Sequence, residues 1–416
     1  MSIIANPALA PSGVQKMEWV RDFMPVLSGI QAHFEEEKPL AGLRIAVSVH
    51  LEAKTAYLGT VLKAGGAQVY LTGSNPLSTQ DDVAAGLASL GVETFGIHGV
   101  SEEEYEQLLL ETLSCEPHIV IDDGGDLIDL LCTEGKGAQY AGALIGGCEE
   151  TTTGILRLKA RERAGSLPCA MMAVNDAKSK HYYDNLYGTG QSVWDAVMHT
   201  TNLLVAGKTV VVAGYGYCGR GVAMRAAGLG ARVIVTEVDP FKALDAVMQG
   251  YDVMPMDEAA GLGDYFVTVT GCRDVVTETH FLQMKDNAFV MNAGHFDLEV
   301  DVKGLARMAV SRATRRKNIE GYTLTNGRTV NVIAQGRLVN LAAGNGHPAE
   351  IMDMSFAVQA LSAVYLAKNR GTLEKKLYPV PKELDGQIAQ VKLHAMGKTI
   401  DSLTGGQASY LNGFTV

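Results

Sequence analysis

The chain has 416 residues, which is enough for about two or three domains with sizeable cores. Its 35 Lys and Arg residues and 46 Asp and Glu residues give a formal net charge of −11, and the lack of a basic run argues against nucleic acid as a partner. The sequence has no apolar stretch of the roughly 18 residues that a membrane span needs, and no secretory signal at its start. These features predict a cytoplasmic protein that does not bind membranes.

Cysteine usage argues against a metal site. The six cysteines form no CxxC pair and show no zinc-like spacing: Cys115, Cys132, Cys148, Cys169, Cys218 and Cys272. We expect reduced, mostly buried thiols and no bound metal.

Strand-like and helix-like segments alternate in the first part of the chain. Predicted strands cover residues 43–49, 68–72, 92–96 and 119–121, and predicted helices cover residues 52–65, 81–90 and 102–113. This alternation is typical of a parallel sheet covered by helices.

A glycine-rich turn follows a predicted strand at residues 209–213. Gly214 allows the tight turn, Gly216 lets the backbone approach a pyrophosphate, and Gly219 lets the next helix pack close to the strand. A second predicted strand, residues 233–235, ends at Glu237, where a carboxylate would accept hydrogen bonds from the adenosine ribose. The whole pattern predicts a dinucleotide site and favours NAD over NADP.

The second α/β unit continues to about residue 344. Further predicted strands lie at residues 252–254, 265–269 and 288–291, with a hairpin at 322–325 and 330–332, and a long apolar helix follows at 349–368. We therefore predict an α/β fold with two Rossmann-like, doubly wound parallel-sheet domains and a helical C-terminal tail. Residues 1–186 and 348–385 would form a discontinuous substrate-binding domain, and residues 190–345 the NAD-binding domain. Residues 386–416 would form a tail that contacts another protomer, and the Gly-rich crossings near 186–190 and 344–348 would be hinges.

Several predicted strands of the first domain end in polar residues. His50 follows the first, the sequence NPLSTQ at 75–80 follows the second, and Asp123 lies in DDGGD at 122–126. A histidine at a strand end is often structural, and Asp-Gly pairs are common turns. Ligands of parallel α/β sheets nevertheless bind at this edge, so a binding role stays open.

Two further runs combine charges with hydroxyls. The sequence EETTTG, residues 149–154, is compatible with a helix cap but places two carboxylates beside three threonines. Lys180 and Asp184 are four residues apart, so their charged groups can meet on a helix turn. They form either a surface ion pair or, in a cleft, a lysine that takes a proton from a substrate hydroxyl.

Together these segments resemble one family, the S-adenosylhomocysteine hydrolases, over almost the whole chain. The resemblance rests on EETTTG, DNLYG (184–188), MNAGHFD (291–297), GRLVNLA (336–342) and GHP (346–348), and the form is compact, similar to archaeal and Thermotoga-like members. The resemblance implies an enzyme that acts on a small molecule and holds NAD tightly. This enzyme would split the thioether of S-adenosylhomocysteine into adenosine and homocysteine. The 3′-hydroxyl would be oxidised first, homocysteine thiolate would leave C5′ by elimination, and water addition and re-reduction would complete the cycle.

The resemblance also implies residue roles. Lys180, oriented by Asp184 and Glu150 and held by Asn185, would be the base at the 3′-hydroxyl. His50 and Asp123 would serve the C4′ proton, the leaving group and water, and His295 would lie beside the sugar. The implied NAD contacts are Gly214, Gly216, Tyr217, Cys218, Gly219, Glu237, Thr151, Thr152, Thr153, Asn185, Thr270, Ala293 and Asn340. The implied substrate contacts are His50, Glu52, Lys54, Thr55, Asp123, Glu150, Lys180, Asp184, His295, Asn340 and His347.

The sequence departs from the common form of the family at two places. It ends at Val416 without the Lys and Tyr that reach the partner's NAD, although a homo-oligomer, tetramer or dimer, is still expected. Glu52 and Lys54 replace a Thr and a Glu near the adenine. This pair is either a neutral rearrangement or a site for hypoxanthine, which would make the S-inosyl compound a good substrate.

Two other functions share parts of the pattern. An NAD-dependent 2-hydroxyacid dehydrogenase would need an Arg and a Glu beside His295, and no convincing pair is present. A non-catalytic NAD-binding regulator would be expected to lack Lys180, Asp123 or His50, and all three are present.

Overall fold

The computed structural model describes residues 2–413, and within this range the strands form two eight-stranded sheets. The first sheet contains β1 (Ile3–Ile4), β2 (Arg44–Ser48), β3 (Gln68–Thr72), β4 (Glu93–Gly96), β5 (Ile119–Asp122), β6 (Gly146–Glu149) and β7 (Ala170–Ala173). The second contains β8 (Thr209–Ala213), β9 (Arg232–Thr236), β10 (Asp252–Val253), β11 (Tyr265–Thr268), β12 (Ala288–Asn292), β13 (Ala309–Arg316), β14 (Ile319–Leu324) and β15 (Thr329–Ile333). A last strand, β16 (Leu377–Pro379), returns to the first sheet beside β7.

Helices connect the strands on both faces of each sheet. In the first part of the chain they are α1 (Ala10–Asp22), α2 (Pro25–Glu37), α3 (Ala53–Ala64), α4 (Asp81–Ser89), α5 (Glu102–Leu113), α6 (Asp126–Leu131), α7 (Thr152–Arg163) and α8 (Lys178–His181). A π-helical segment, Asp184–Thr189, leads into α9 (Gly190–Thr201), α10 (Tyr217–Gly228), α11 (Pro240–Met248), α12 (Met256–Ala259), α13 (Glu278–Phe281), α14 (Val302–Met308) and α15 (Val339–Ala342). The chain then forms α16 (Ala349–Lys368), α17 (Lys382–Ala395) and α18 (Gly405–Asn412). None of the helices within residues 2–413 is long and apolar enough to cross a membrane.

Each sheet has a central point at which the strand order changes direction. The first sheet is wholly parallel, in the order β1-β4-β3-β2-β5-β6-β7-β16, and the second has the order β10-β9-β8-β11-β12-β15-β14-β13. Ligands of such sheets bind beyond the carboxyl ends of the strands where the order reverses. These points lie between β2 and β5 in the first sheet and between β8 and β11 in the second.

Helix α16 follows the second sheet in sequence but packs on the first. Its Phe356, Ala357 and Val358 are fully buried in the same apolar cluster as Ile45 and Val47 of β2. Burying these side chains stabilises the return of the chain to the first sheet, because apolar area is removed from water on both elements.

The predicted α/β fold with two doubly wound sheets is confirmed, although strands β1, β6, β7, β13 and β16 were not predicted. Strand β13 was not predicted, because its charged sequence AVSRATRR is exposed along most of its length and has no apolar face, as suits a sheet edge. The strands β13 and β14 also run antiparallel, so the second sheet is parallel only from β10 to β15. Strand β16 was missed because three residues give no periodic pattern.

The prediction of mostly buried thiols is wrong for four of the six cysteines. Cys148 and Cys169 are buried, whereas Cys272 is exposed and the remaining three are half-buried. The last three residues of the predicted tail, 414–416, lie outside the described residues.

Candidate active site

Polar side chains from three strand ends meet at the carboxyl edge of the first sheet. His50 follows β2, Asp123 follows β5 and Glu150 follows β6. His50 Nε2 lies 3.5 Å from Asp123 Oδ2, and the carboxylates of Asp123 and Glu150 are both buried. Parallel strands that end at one edge therefore bring these distant residues into one cleft, as the strand-end positions predict.

The second sheet contributes His295 to the same cleft. His295 follows β12, and its Nδ1 lies 3.8 Å from Asp123 Oδ1, so Asp123 has an imidazole on each side. His295 packs closely against the backbone of Gly124. An added Cβ at Gly124 would lie 2.5 Å from His295 Nε2, and φ at this residue is +101°. A glycine is required at this position because a side chain would meet both the imidazole and an unfavourable backbone conformation.

Lys180 lies at the centre of a second buried group. Its Nζ is 2.5 Å from Asp184 Oδ2 and donates a hydrogen bond of 3.2 Å to Asn175 Oδ1. The Lys180 side chain is 3% exposed, so the alternative of a surface ion pair is wrong. The predicted meeting of the two charged groups is confirmed, and it happens inside the protein.

His347 connects this group to the crossing between the sheets. Its Nδ1 contacts Asp184 Oδ1, and its Nε2 lies 2.9 Å from Thr189 Oγ1. His347 belongs to the segment between α15 and α16, so this contact joins that crossing to Asp184 in the π-helical segment.

The local electrostatics keep Lys180 and Asp184 charged. Burial lowers the pKa of Lys180, but the carboxylates of Asp184 and Glu150 raise it by more, so its pKa lies above the ordinary value. Burial raises the pKa of Asp184, but His347 and Lys180 lower it well below the ordinary value. Lys180 is therefore an ammonium in this structure, and it needs a proton acceptor before it can act as a base.

Glu150, in its ionised form, can be that acceptor. Burial raises its pKa to about 8, with Lys180 opposing the rise and Asp184 adding to it. A group whose pKa lies near the working pH exchanges its proton readily in both directions.

His50 has the opposite character. Burial lowers its pKa, and the attraction of Asp123 only partly offsets this effect. The imidazole is therefore neutral at neutral pH, and one ring nitrogen has a lone pair that can take a proton. Its Nδ1 lies 2.7 Å from Ser78 Oγ, which fixes the ring.

The second sheet carries a dinucleotide cradle between β8 and α10. Gly214 has a φ of +99°, and an added Cβ at Gly219 would lie 1.9 Å from the Gly214 carbonyl oxygen. An added Cβ at Gly216 would meet no atom within 4 Å, so this backbone is open to a ligand. Helix α10 begins at the next residue, Tyr217, and its first turn, which contains Cys218, presents N–H groups to phosphate.

Glu237 lies where the ribose of the adenosine would bind. Its Oε2 accepts a 2.7 Å hydrogen bond from Tyr215 N, and its Oε1 accepts from Val238 N and Asp239 N at 2.7 and 3.0 Å. Burial raises the pKa of Glu237, but these backbone hydrogen bonds lower it below the ordinary value. The side chain is thus an oriented carboxylate that can accept from ribose hydroxyls.

Asn340 fits the carboxamide end of NAD. Its Nδ2 donates to Ser192 Oγ at 3.1 Å, while its buried Oδ1 has no hydrogen-bond partner among residues 2–413. An unpaired buried acceptor is costly, and the N–H of a carboxamide would satisfy it. The donors and acceptors of this sheet therefore fit NAD.

The other predicted NAD contacts are placed less directly. Thr151 caps α7, since its Oγ1 accepts from Gly154 N and donates to Glu149 Oε1, as the capping alternative requires. Thr152 Oγ1 donates to Asn175 Oδ1 at 3.3 Å and so belongs to the Lys180 group. The remaining predicted positions are Thr153 in the first turn of α7, half-buried Asn185 after Asp184, and Thr270 and Ala293 beyond β11 and β12.

Glu52 and Lys54 form a buried ion pair at the start of α3, close after His50. Lys54 Nζ lies 2.6 Å from Glu52 Oε2 and donates to the Asn345 carbonyl oxygen at 3.0 Å. The neighbouring Thr55 is buried, and its Oγ1 has no partner in the described part of the chain. Charged and hydroxyl groups are therefore buried together where the start of α3 meets the Asn345 segment.

Two cavities open beside this cleft. A cavity of about 670 Å³ adjoins His295 and is lined from both sheets by residues that include Ser74, Tyr105 and Arg337. A second, of about 550 Å³, lies near Ser78 and Asn345. Lys180 lines neither of them.

Sequence reasoning missed two residues of the site. Asn175, rather than the predicted Asn185, accepts a hydrogen bond from Lys180. It lies in a 3-10 turn just after β7, so its signal was its place at another strand end of the same sheet. Gln359 donates to Glu150 Oε2 at 2.5 Å from the middle of α16. The signal for Gln359 was a lone amide within an apolar helix.

A dinucleotide cradle beside a buried lysine and carboxylate cluster is the arrangement of an NAD-dependent enzyme. Comparison with known families gives the particular family. The model described as S-adenosyl-L-homocysteine hydrolase matches residues 2–144, and the model of its NAD-binding domain matches residues 185–346. The chain belongs to the S-adenosyl-L-homocysteine hydrolase family and is a hydrolase that uses NAD.

Relatives with two different names are about equally similar. The S-inosyl-L-homocysteine hydrolase of Methanosarcina mazei is 54% identical over 98% of this chain and 98% of its own. The S-inosyl-L-homocysteine hydrolase of Methanococcus maripaludis is 52% identical over 99% of both chains. The adenosylhomocysteinase of Thermotoga maritima is 52% identical over 96% of this chain and 98% of its own. Overall identity therefore does not decide between the two substrates.

Among solved structures, a dipicolinate synthase chain from Bacillus halodurans is similar at 14% identity with a TM-score of 0.47, over 79% of this chain and 99% of that chain. This likeness is too low to bear on function.

Proposed function

We propose that this enzyme splits the C5′–S bond of an S-nucleosyl-L-homocysteine, adenosyl or inosyl, to give the nucleoside and L-homocysteine. The observation that carries the proposal is the enclosed cluster of Lys180, Asp184 and Glu150 beside the His50–Asp123 pair. A thioether on ribose has no easy route to direct hydrolysis, so a route through a 3′-ketone needs two separate sets of proton-transfer groups.

The first set acts at the 3′-hydroxyl. NAD, when bound, accepts a hydride from C3′ and returns it at the end of the cycle. Lys180 holds the 3′-oxygen and takes its proton as it passes one of its own protons to the ionised Glu150, and Asp184 and Asn175 orient Lys180. Because the cluster is buried, water is excluded while the ketone exists.

The second set acts at C4′ and C5′. The 3′-ketone makes the C4′ proton acidic, and neutral His50 with Asp123 removes it, protonates the leaving sulfur and delivers water to C5′. His295, on the other side of Asp123, closes this end of the cleft. Its exposure of only 16% supports a role beside the sugar rather than at the surface.

Glu52 and Lys54 bear on the choice of base. Hypoxanthine offers an acceptor at O6 and a donor at N1, whereas adenine offers the reverse. A lysine ammonium only donates and a carboxylate only accepts, so the pair complements hypoxanthine when Lys54 faces O6 and Glu52 faces N1. We propose that the inosyl thioether is a substrate at least as good as the adenosyl thioether, with Thr55 and His347 also contacting the nucleoside.

The packing also supports proposals on organisation. The return of α16 and β16 to the first sheet supports a substrate-binding domain of residues 1–186 and 348–385 and an NAD-binding domain of 190–345, with hinges at the two crossings.

Several apolar side chains of the tail are exposed, namely Met396, Ile400, Leu403 and Leu411, which supports a homo-oligomer contact there in a tetramer or dimer. We place the enzyme in the cytoplasm.

The proposal is tested on the NAD-loaded enzyme with S-adenosyl- and S-inosyl-L-homocysteine. Mass spectrometry should detect the free nucleoside and homocysteine from at least one of them. If neither thioether is cleaved while NAD is bound, the proposed function is wrong.

A further inference from the structure

A buried glutamine touches the carboxylate next to the catalytic lysine. Gln359 lies in the middle of α16 and is fully buried. Its Nε2 donates to Glu150 Oε2 at 2.5 Å, although the two residues are 209 positions apart. The surrounding helix is apolar, so packing alone does not require an amide here.

The contact leaves two acceptors unsatisfied. Glu150 Oε1 and Gln359 Oε1 are both buried and have no hydrogen-bond partner among residues 2–413. Two acceptors cannot bond to each other, and an unpaired buried acceptor costs free energy. A proton on Glu150 removes the problem, since a carboxylic acid can donate to the amide oxygen.

We propose that Gln359 is a positioning residue that holds the ionised Glu150 ready to receive the substrate's 3′-hydroxyl proton through Lys180, and that its amide turns over to accept from Glu150 once the proton has arrived. This inference rests on the proposed function and assigns the place where the proton is stored. A glutamine suits the task because rotation of its amide exchanges a donor for an acceptor at the same point.

The proton balance is complete within the cluster. The O–H bond of the 3′-hydroxyl breaks as its proton passes to Lys180 Nζ. One N–H proton of Lys180 passes to Glu150 Oε2, the oxygen that faces the Gln359 amide, when the ammonium turns toward it from Asp184. Lys180 stays an ammonium, Glu150 becomes neutral, and the hydride of C3′ goes to NAD⁺. The same proton returns from Glu150 through Lys180 when the ketone is reduced.

The groups around Glu150 set its proton affinity. Lys180 favours the ionised form of Glu150, while Asp184 and Asp123 oppose it. Cys148 and Glu149, which precede Glu150 in the chain, also lie close to it. Burial is the largest influence and raises the pKa of Glu150 to about 8, whereas the hydrogen bond from Gln359 lowers it. Removing that donor should therefore raise the pKa further.

The test is the pH profile of kcat/KM for the NAD-loaded enzyme and its Gln359→Met variant. Methionine keeps the shape of the side chain without a donor. We expect the acid limb to move to higher pH by about one to two units. This shift corresponds to the free energy that a hydrogen bond to a charged group usually contributes. Activity at pH 7 should fall by about 10- to 100-fold and recover at high pH.

Two further variants separate positioning from folding. Gln359→His offers a donor and an acceptor and should move the limb back toward that of the unmodified enzyme. Ser362→Ala removes another buried polar group of α16 and should leave the limb in place. An infrared titration should detect the carboxylic acid band of Glu150, absent in Glu150→Gln, and this band should titrate at higher pH in Gln359→Met.

The inference is overturned if Gln359→Met has the same acid limb as the unmodified enzyme, or loses activity equally at every pH. In both cases the unmodified enzyme would still cleave the thioether, so the proposed function would stand. Loss of cleavage by the unmodified enzyme itself would count against the proposed function instead.

Discussion

The ion pair of Glu52 and Lys54 allows a direct test of base recognition. Both side chains are buried, and Lys54 Nζ lies 2.6 Å from Glu52 Oε2. The double variant Glu52→Gln/Lys54→Gln removes both charges at nearly constant volume and leaves no unpaired buried ion. Each new amide offers a donor and an acceptor, so the site no longer discriminates against the amino group of adenine.

The expected change follows from the loss of charge-assisted hydrogen bonds to hypoxanthine. One such bond is worth about 1.5–3 kcal/mol, which corresponds to about 10- to 150-fold in kcat/KM. We expect the ratio of kcat/KM for the inosyl over the adenosyl thioether to fall by about tenfold or more. The single variant Lys54→Gln should instead unfold more easily, by about 3 kcal/mol, because it leaves the Glu52 carboxylate buried without its partner.

The assay measures kcat/KM for both thioethers on NAD-loaded enzyme by following the homocysteine thiol. Lys63→Gln, an exposed lysine on the same helix, is the matched control and should leave the ratio unchanged. A ratio that is the same in the double variant and in the unmodified enzyme would refute the role of this pair in base recognition.

Three other predictions follow from the same geometry. Lys180→Ala should lose about two to four orders of magnitude in kcat while retaining NAD. The control Lys178→Ala, at an exposed lysine, should keep the kcat of the unmodified enzyme. Near-normal turnover in Lys180→Ala would contradict the role of Lys180. Denatured enzyme should release NAD rather than NADP, because a 2′-phosphate would meet the Glu237 carboxylate; recovery of NADP would be contrary to this placement. Asp385→Ala should lower kcat by a larger factor than it raises KM. Asp385 accepts hydrogen bonds from the backbone N–H groups of Lys178 and Ser179 at 2.7 and 2.9 Å and so fixes the start of α8. An unchanged kcat would show that α8 holds Lys180 without Asp385.

Much of the site was predictable because it lies on regular elements. The residues that follow β2 and β5 are placed by strand order, which is why His50 and Asp123 were found from strand-end positions. Glu150 and His295 were instead found from the motifs that carry the family resemblance. The glycines of the dinucleotide cradle are likewise forced by the backbone, as the positive φ of Gly214 shows.

The remaining part depends on how the chain returns to the first sheet. Gln359 reaches Glu150 only because α16 packs on that sheet, and Asp385 of α17 reaches α8 for the same reason. Likewise, Lys54 meets the Asn345 carbonyl across the crossing between the sheets. No local pattern specifies these contacts, since each joins residues that are more than 200 positions apart.

The route through a 3′-ketone is tested most directly by the fate of the C4′ hydrogen. The NAD-loaded enzyme is given the thioether in deuterated water, and the nucleoside is examined by mass spectrometry and proton NMR. If His50 and Asp123 remove and replace the C4′ proton, the product should carry deuterium at C4′. Cleavage that leaves C4′ free of deuterium would contradict this account, because direct hydrolysis never breaks that bond.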